Sequence, residues 1–107
     1  MKVKYCGNTN SMTYGETYEV IGIDCNDYRI INDKNDPCLY DSNECEVVEN
    51  SEPDFWVKEI DEDGDIYAYP FPWSRVGFFE DYHDRIEKVV KQFWKECERF
   101  YGITKDV

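Results

Sequence analysis

The chain has 107 residues, 41% hydrophobic and 17% aromatic, which suits one globular domain spanning 1-107 and excludes a wholly disordered chain. Its formal net charge is -12, from twenty-four acidic against twelve basic residues. A field of that sign repels nucleic-acid phosphates and attracts basic partners, so direct nucleic-acid binding is not expected.

Residues 1–50 sum to -6, residues 51–83 to -7 and residues 84–107 to +1, so the negative field belongs to the first three quarters of the chain. No stretch reaches the roughly eighteen apolar residues of a membrane-crossing helix, and MKVKYCGNTNSM lacks the apolar run of a secretory signal. Five cysteines, Cys6, Cys25, Cys38, Cys45 and Cys97, form no C-x-x-C pair and match no zinc-ligand spacing. These features predict a cytoplasmic protein without membrane contact, whose thiols are mostly buried or bystanders.

Val3-Lys4-Tyr5-Cys6 alternates like a strand and stops at Gly7-Asn8-Thr9-Asn10-Ser11. Thr17 to Ile23 is rich in β-formers and ends at the turn Asp24-Cys25-Asn26-Asp27. Tyr28 to Ile31 returns, Asn32 to Pro37 turns again, and Cys38-Leu39-Tyr40 is a fourth strand. After Asp41-Ser42-Asn43-Glu44 comes a fifth, Cys45 to Glu49. Five short strands with a long first loop suggest a small, strongly bent barrel.

The run from Val3 to Glu49 resembles the small SH3-like barrel proteins of phages and Gram-positive bacteria. The resemblance rests on Lys4-Tyr5-Cys6, Gly15 to Val20, Tyr28 to Asp33, and a short acidic turn closing on Cys45 to Glu49. It covers under half the chain and implies an SH3-like fold for 1-49 and a bacterial or phage origin. Barrels of this kind often use aromatics near the first long loop, here Tyr14 and Tyr18, as contact residues.

Asn50 to Asp54 is linker-like and leads into a further hairpin over 54-70: Phe55 to Ile60, the turn Asp61-Glu62-Asp63-Gly64-Asp65, and Ile66 to Tyr69. Asp63-Gly64 is a strong hairpin signal. Pro70-Phe71-Pro72-Trp73 forbids regular strand or helix and makes a corner. Over 80-101 the apolar period becomes helical, with Tyr82, Ile86, Val89, Val90, Phe93, Trp94, Cys97, Phe100 and Tyr101 at steps of three and four. Gly102 sits where a left-handed residue would end that helix. The expected fold is α+β: a small SH3-like β-barrel, extended by a β-hairpin and packed against one long C-terminal helix.

The acidic turn at 61–65 invites a calcium reading, but an EF-hand counted from Asp61 would need glycine at Ile66 and glutamate at Pro72. No metal and no cofactor are expected. His83 is the sole histidine, and Cys97, fourteen residues on, lies about 21 Å away along one helix, which excludes that Cys-His pair. Neither a G-x-S-x-G, a P-loop nor a G-x-G-x-x-G is present, and no carboxylate pair stands out for hydrolysis. The expectation is a binding protein with no catalytic residues.

Asp61, Glu62, Asp63 and Asp65, with Tyr67, Tyr69 and Trp73 beside them, form the candidate partner-binding surface. The functional expectation is a small acidic inhibitor, such as an immunity protein or a phage anti-defence protein, that occludes a basic partner: a toxin or a host defence enzyme. The alternative is a structural or self-associating module, for instance a homodimer. A small enzyme or ligand-binding protein using His83 is the third reading.

Overall fold

The computed structural model describes residues 1–105. The chain divides into two units, Met1–Pro70 and Phe71–Val107. The first holds two antiparallel sheets and the second two helices, an α+β fold.

In the first unit β1 (Lys2–Tyr5) is the centre of a three-stranded sheet, with β2 (Thr17–Glu19) on one side and β6 (Cys45–Glu49) on the other. β3 (Gly22–Asp24), β4 (Asp27–Ile31) and β5 (Pro37–Tyr40) join β7 (Trp56–Ile60) and β8 (Ile66–Pro70) in a five-stranded sheet of order β5-β4-β3-β8-β7. Neither sheet closes on itself among the described residues.

The expected strand from Thr17 to Ile23 is two strands, one in each sheet. The chain bends at Val20-Ile21, where Val20 N–H bonds Met1 O at 2.9 Å and Ile21 N–H bonds Arg29 O at 2.9 Å. Both residues are fully buried, so each contributes its apolar side chain while its backbone changes sheet. Asp41 to Glu44 contains a single 3-10 turn at Ser42–Glu44, whose start is held by Asp41 Oδ1 accepting from Asn43 N–H at 2.8 Å.

The core of this unit gathers Val3, Tyr5, Val20, Ile23, Ile30, Tyr40, Trp56 and Ala68, with the Tyr5 and Tyr40 rings edge to face at 5.9 Å. The long loop after β1 is pinned by polar contacts. Tyr18 Oη donates to Asp33 Oδ1 at 2.8 Å and accepts from Thr13 N–H at 2.8 Å, while Thr13 Oγ1 donates to Asp33 Oδ2 at 2.7 Å. Tyr18 is thereby committed to the loop, whereas Tyr14 stands 73% exposed.

In the second unit Phe71–Trp73 forms one 3-10 turn around Pro72; Pro70, expected with it to forbid regular structure, instead ends strand β8 opposite Trp56, where its missing N–H costs the ladder no bond. The expected single helix over 80-101 is two helices, α1 (Phe78–His83) and α2 (Glu87–Tyr101). Arg85 adopts φ 64 between them; its N–H bonds Tyr82 O at 3.0 Å and Ile86 N–H bonds Asp81 O at 3.1 Å. This is the paired bonding of a Schellman ending, built on an arginine where glycine is usual, so no glycine or proline marked the break. Trp73, buried to 1%, packs on Phe93 at 4.8 Å and Phe78 at 6.3 Å between ring centroids, and its Nε1–H donates to Glu96 Oε1 at 3.1 Å. Gly102 ends α2 at φ 67, as expected. None of the described helices is long and apolar enough to cross a membrane.

Gly22 makes a specific demand on packing, because a Cβ there would run into the Tyr69 ring. Gly22→Ala is therefore expected to lower stability by roughly 1–3 kcal/mol, seen as a lower urea midpoint with an unchanged denaturant slope.

Candidate functional site

The strand registers place one end of β5, β4, β3, β8 and β7 in line. Tyr28 lies opposite Tyr40, so Asp27 and Asp41 are neighbours; Asp24 lies opposite Asp27; Glu59 lies opposite Tyr67. At about 4.8 Å per strand the row spans roughly 19 Å. It carries Asp41, Asp27, Asp24, Tyr67 and Glu59, with the acidic hairpin tip just beyond.

That tip is a compact turn. Gly64 N–H bonds Asp61 O at 3.0 Å and Asp61 N–H bonds Asp65 O at 3.0 Å, with Gly64 at φ 83, the glycine bulge that Asp63-Gly64 foretells. Asp61 Oδ1 accepts from the N–H groups of Asp63 and Asp65 at 3.0 and 2.9 Å. The carboxylates of Asp61, Asp63 and Asp65 offer ligand atoms within 4.8 Å of one another. Asp61 is held by these bonds within the turn and Asp65 by the neighbouring hairpin.

Asn26 joins the two tips. Its Nδ2 donates to Asp65 Oδ1 at 2.8 Å, its Oδ1 accepts from Ile66 N–H at 2.9 Å, and its own N–H bonds Ile66 O at 3.1 Å. Cys25 Sγ donates to Asp65 Oδ2 at 3.5 Å. Cys25 and Asn26 have φ 49 and 70, the doubly left-handed form of a two-residue hairpin turn. Asn26 suits it and Cys25 does not. The hydrogen bond to the Cys25 thiol, then loss of hydration, then Cys25, Asp61 and Asp65, push the Tyr67 phenol up to about 12.

The electrostatics of the row are repulsive. Partial burial first, then Asp41 and Asp24, hold the Asp27 carboxyl above its usual range. Asp24 is relieved by Arg29, whose Nη2 lies 3.7 Å from Asp24 Oδ2. Arg29, only 7% exposed, also donates from Nε to Tyr69 Oη at 3.1 Å and from Nη1 to Pro37 O at 3.0 Å. Tyr69 Oη in turn donates to Asp24 Oδ2 at 3.0 Å, and burial pushes its phenol far above the usual range against the pull of Arg29.

Of the seven residues expected at the partner surface, the structure brings Asp61, Glu62, Asp63, Asp65 and Tyr67 together at or beside the tip. Tyr69 is 6% and Trp73 1% exposed, so both serve packing instead of offering a ring to a partner. Asp24, Asp27 and Asp41 were missed because their approach depends on strand pairing; the signal present in sequence was the turn Asp24 to Asp27. His83 is exposed at the end of α1 beside the Tyr82 ring, at 5.4 Å between centroids. Of the cysteines, expected to be mostly buried or bystanders, Cys97 is buried, Cys38 and Cys45 are half-buried, and Cys6 and Cys25 are exposed. An open depression of about 510 Å³ lined by Val47, Val48, Glu49, Asn50 and Ser51 has Glu49 as its one ionisable lining residue.

No protein-family model matches the chain, and neither a curated protein nor a solved structure matches it. The molecule is thus characterised by its geometry: an α+β chain with two antiparallel sheets, one of which ends in a row of carboxylates.

Two measurements probe this end. Cys25→Asn, which tolerates the left-handed backbone better, is expected to stabilise by roughly 0.5–1 kcal/mol, read by chemical denaturation. For Asp27 the folded state binds the proton more tightly than the unfolded state, so its contribution to stability falls as pH rises from the ordinary value of 3.8 through the raised one. Asp27→Asn is therefore expected to melt higher than the parent at pH 7, and the difference to shrink below about pH 4.

Proposed function

We propose that the protein is a small acidic binding protein that occludes a cationic surface of a basic protein partner, as an immunity protein or a phage anti-defence protein would, within a bacterial cytoplasm. One observation carries this reading: residues 1–70 hold seventeen acidic and five basic residues, the whole net charge of -12, while residues 71–107 hold seven of each. Within that first unit the registers align Asp24, Asp27 and Asp41 beside the tip carboxylates. Their side chains stand in for substrate phosphates at the partner's site, and their field speeds the encounter. The toxin or defence enzyme so covered loses access to its substrate; the protein itself performs no chemistry.

An SH3-like descent for residues 1–49 is part of the proposal. Supporting it are the order of a strand, a long loop, a bent strand, two further strands, one 3-10 turn and a last strand returning to pair with the first.

The test is capture of partners on immobilised protein from a host or infected-cell lysate at two salt concentrations, followed by association kinetics with the protein retained. The expected outcome is one basic enzyme, released by high salt, whose association slows by roughly tenfold or more with Asp27→Asn, Glu62→Gln and Asp63→Asn combined. Retention that ignores both salt and these substitutions would sink the reading. Concentration-dependent mass of the protein alone, with no partner, would favour the self-associating module instead.

A further inference from the structure

Strand β7 is the last in its sheet, and the hairpin fixes which of its backbone groups face outward. Asp61 and Asp65 form the hydrogen-bonded pair that closes the turn, through Asp61 N–H to Asp65 O. Bonded and non-bonded pairs alternate in an antiparallel ladder, so Glu59 with Tyr67 and Val57 with Tyr69 are bonded. Ile60 with Ile66, Lys58 with Ala68 and Trp56 with Pro70 are then the non-bonded pairs, whose main-chain groups point away from each other. Two observations agree: Ile66 bonds Asn26 on the far side, and Pro70, which has no N–H, sits at a non-bonded position.

The outward N–H of Trp56 is taken by Pro53 O at 3.2 Å. Lys58 and Ile60 turn both N–H and C=O out of the sheet, and among the described residues no bond to these groups is formed. The other edges are blunted in familiar ways. β2 has only three residues, β6 has an irregular register between Lys2 and Val3, and β5 has four residues beginning with Pro37. β7 runs five residues without a break, with Val57 39% and Ile60 64% exposed. The charge of its lysine, Lys58, is matched by Glu52 at 3.2 Å.

We infer that the outer edge of β7 receives an extended segment of the basic partner as an added strand, with its Lys and Arg side chains meeting Glu59 and the Asp61 to Asp65 tip. The inference rests on the proposed function and names how that site would engage its partner. Main-chain bonds to Lys58 and Ile60 give the segment its register, and the neighbouring carboxylates select for positive charge. A second copy of the chain fits this edge poorly. Symmetric antiparallel pairings centred on Lys58 or Glu59 oppose Lys58 to Lys58 or Glu59 to Glu59, and each copy brings a charge of -12.

The probes are a ten-residue peptide alternating Val and Lys, and a peptide of equal charge with Pro in place of alternate Val, which cannot pair as a strand. Amide NMR of the full chain is expected to show the Val-Lys peptide shifting the Lys58 and Ile60 amides and slowing their hydrogen exchange. The proline-containing peptide is expected to bind roughly tenfold more weakly, the effect of about one net hydrogen bond. Ile60→Pro removes an outward N–H while leaving the bonds to β8 intact, and should weaken the Val-Lys peptide to the level of the other; unchanged Asn26 and Ile66 signals show that its fold is kept. Equal binding of both peptides, with no protection at Lys58 and Ile60 in the parent protein, overturns strand addition and leaves the electrostatic reading standing. Failure of both peptides to bind at low salt overturns both readings.

Discussion

Arg29 is the constraint around which the five-stranded sheet is organised. A buried guanidinium persists only when its donors and its charge are met, and leaving one such charge uncompensated costs about 3–5 kcal/mol. Arg29 lies on β4 and is answered from β3 by Asp24, from β8 by Tyr69 and from the start of β5 by Pro37 O. Four strands are thus held to one another by a single side chain. Tyr69 can reach it because Gly22 leaves its ring room. With those strands in register, their ends are level, and the carboxylates at the ends form a row.

That row is under electrostatic tension. Asp24 is compensated by Arg29, while Asp27 faces Asp24 and Asp41 with partial loss of hydration. On the proposed reading, a cationic partner relieves the same repulsion that lowers the stability of the isolated chain, so binding energy and stability are drawn from one set of charges. Asn26 keeps the arrangement rigid across the two hairpin tips, spanning β3–β4 and β7–β8 with three hydrogen bonds. The left-handed backbone of Cys25 is the local strain that accompanies this turn.

The second unit shows a different balance. Its acidic and basic residues cancel, and aromatic packing dominates: Trp73 contacts Phe78, Phe79, Phe93, Phe100 and Tyr101 within 6.3 Å between ring centroids. α2 keeps Val89, Phe93 and Cys97 buried on one face, the spacing that the sequence displayed. The Schellman ending at Arg85 releases Ile86, counted in sequence as part of the apolar stripe, to 48% exposure.

Local chemistry by itself determined much of this protein. The hairpin at Asp63-Gly64, the turn at Asp24 to Asp27, the end of the last helix at Gly102, the α+β class and the concentration of acid in the first unit are all legible because each depends on residues adjacent in the chain. The tertiary structure alone decided the bend at Val20-Ile21, which requires two sheets to compete for one strand. It also decided the helix break at Arg85, where a left-handed residue carries no glycine signature. That Tyr67 stays half-exposed while Tyr69 and Trp73 are buried followed from what covers each ring, not from its type, since Tyr67 and Tyr69 share one face of β8. The row of Asp24, Asp27 and Asp41 beside the tip exists because antiparallel pairing brings together residues that the sequence separates, and no local pattern encodes that register.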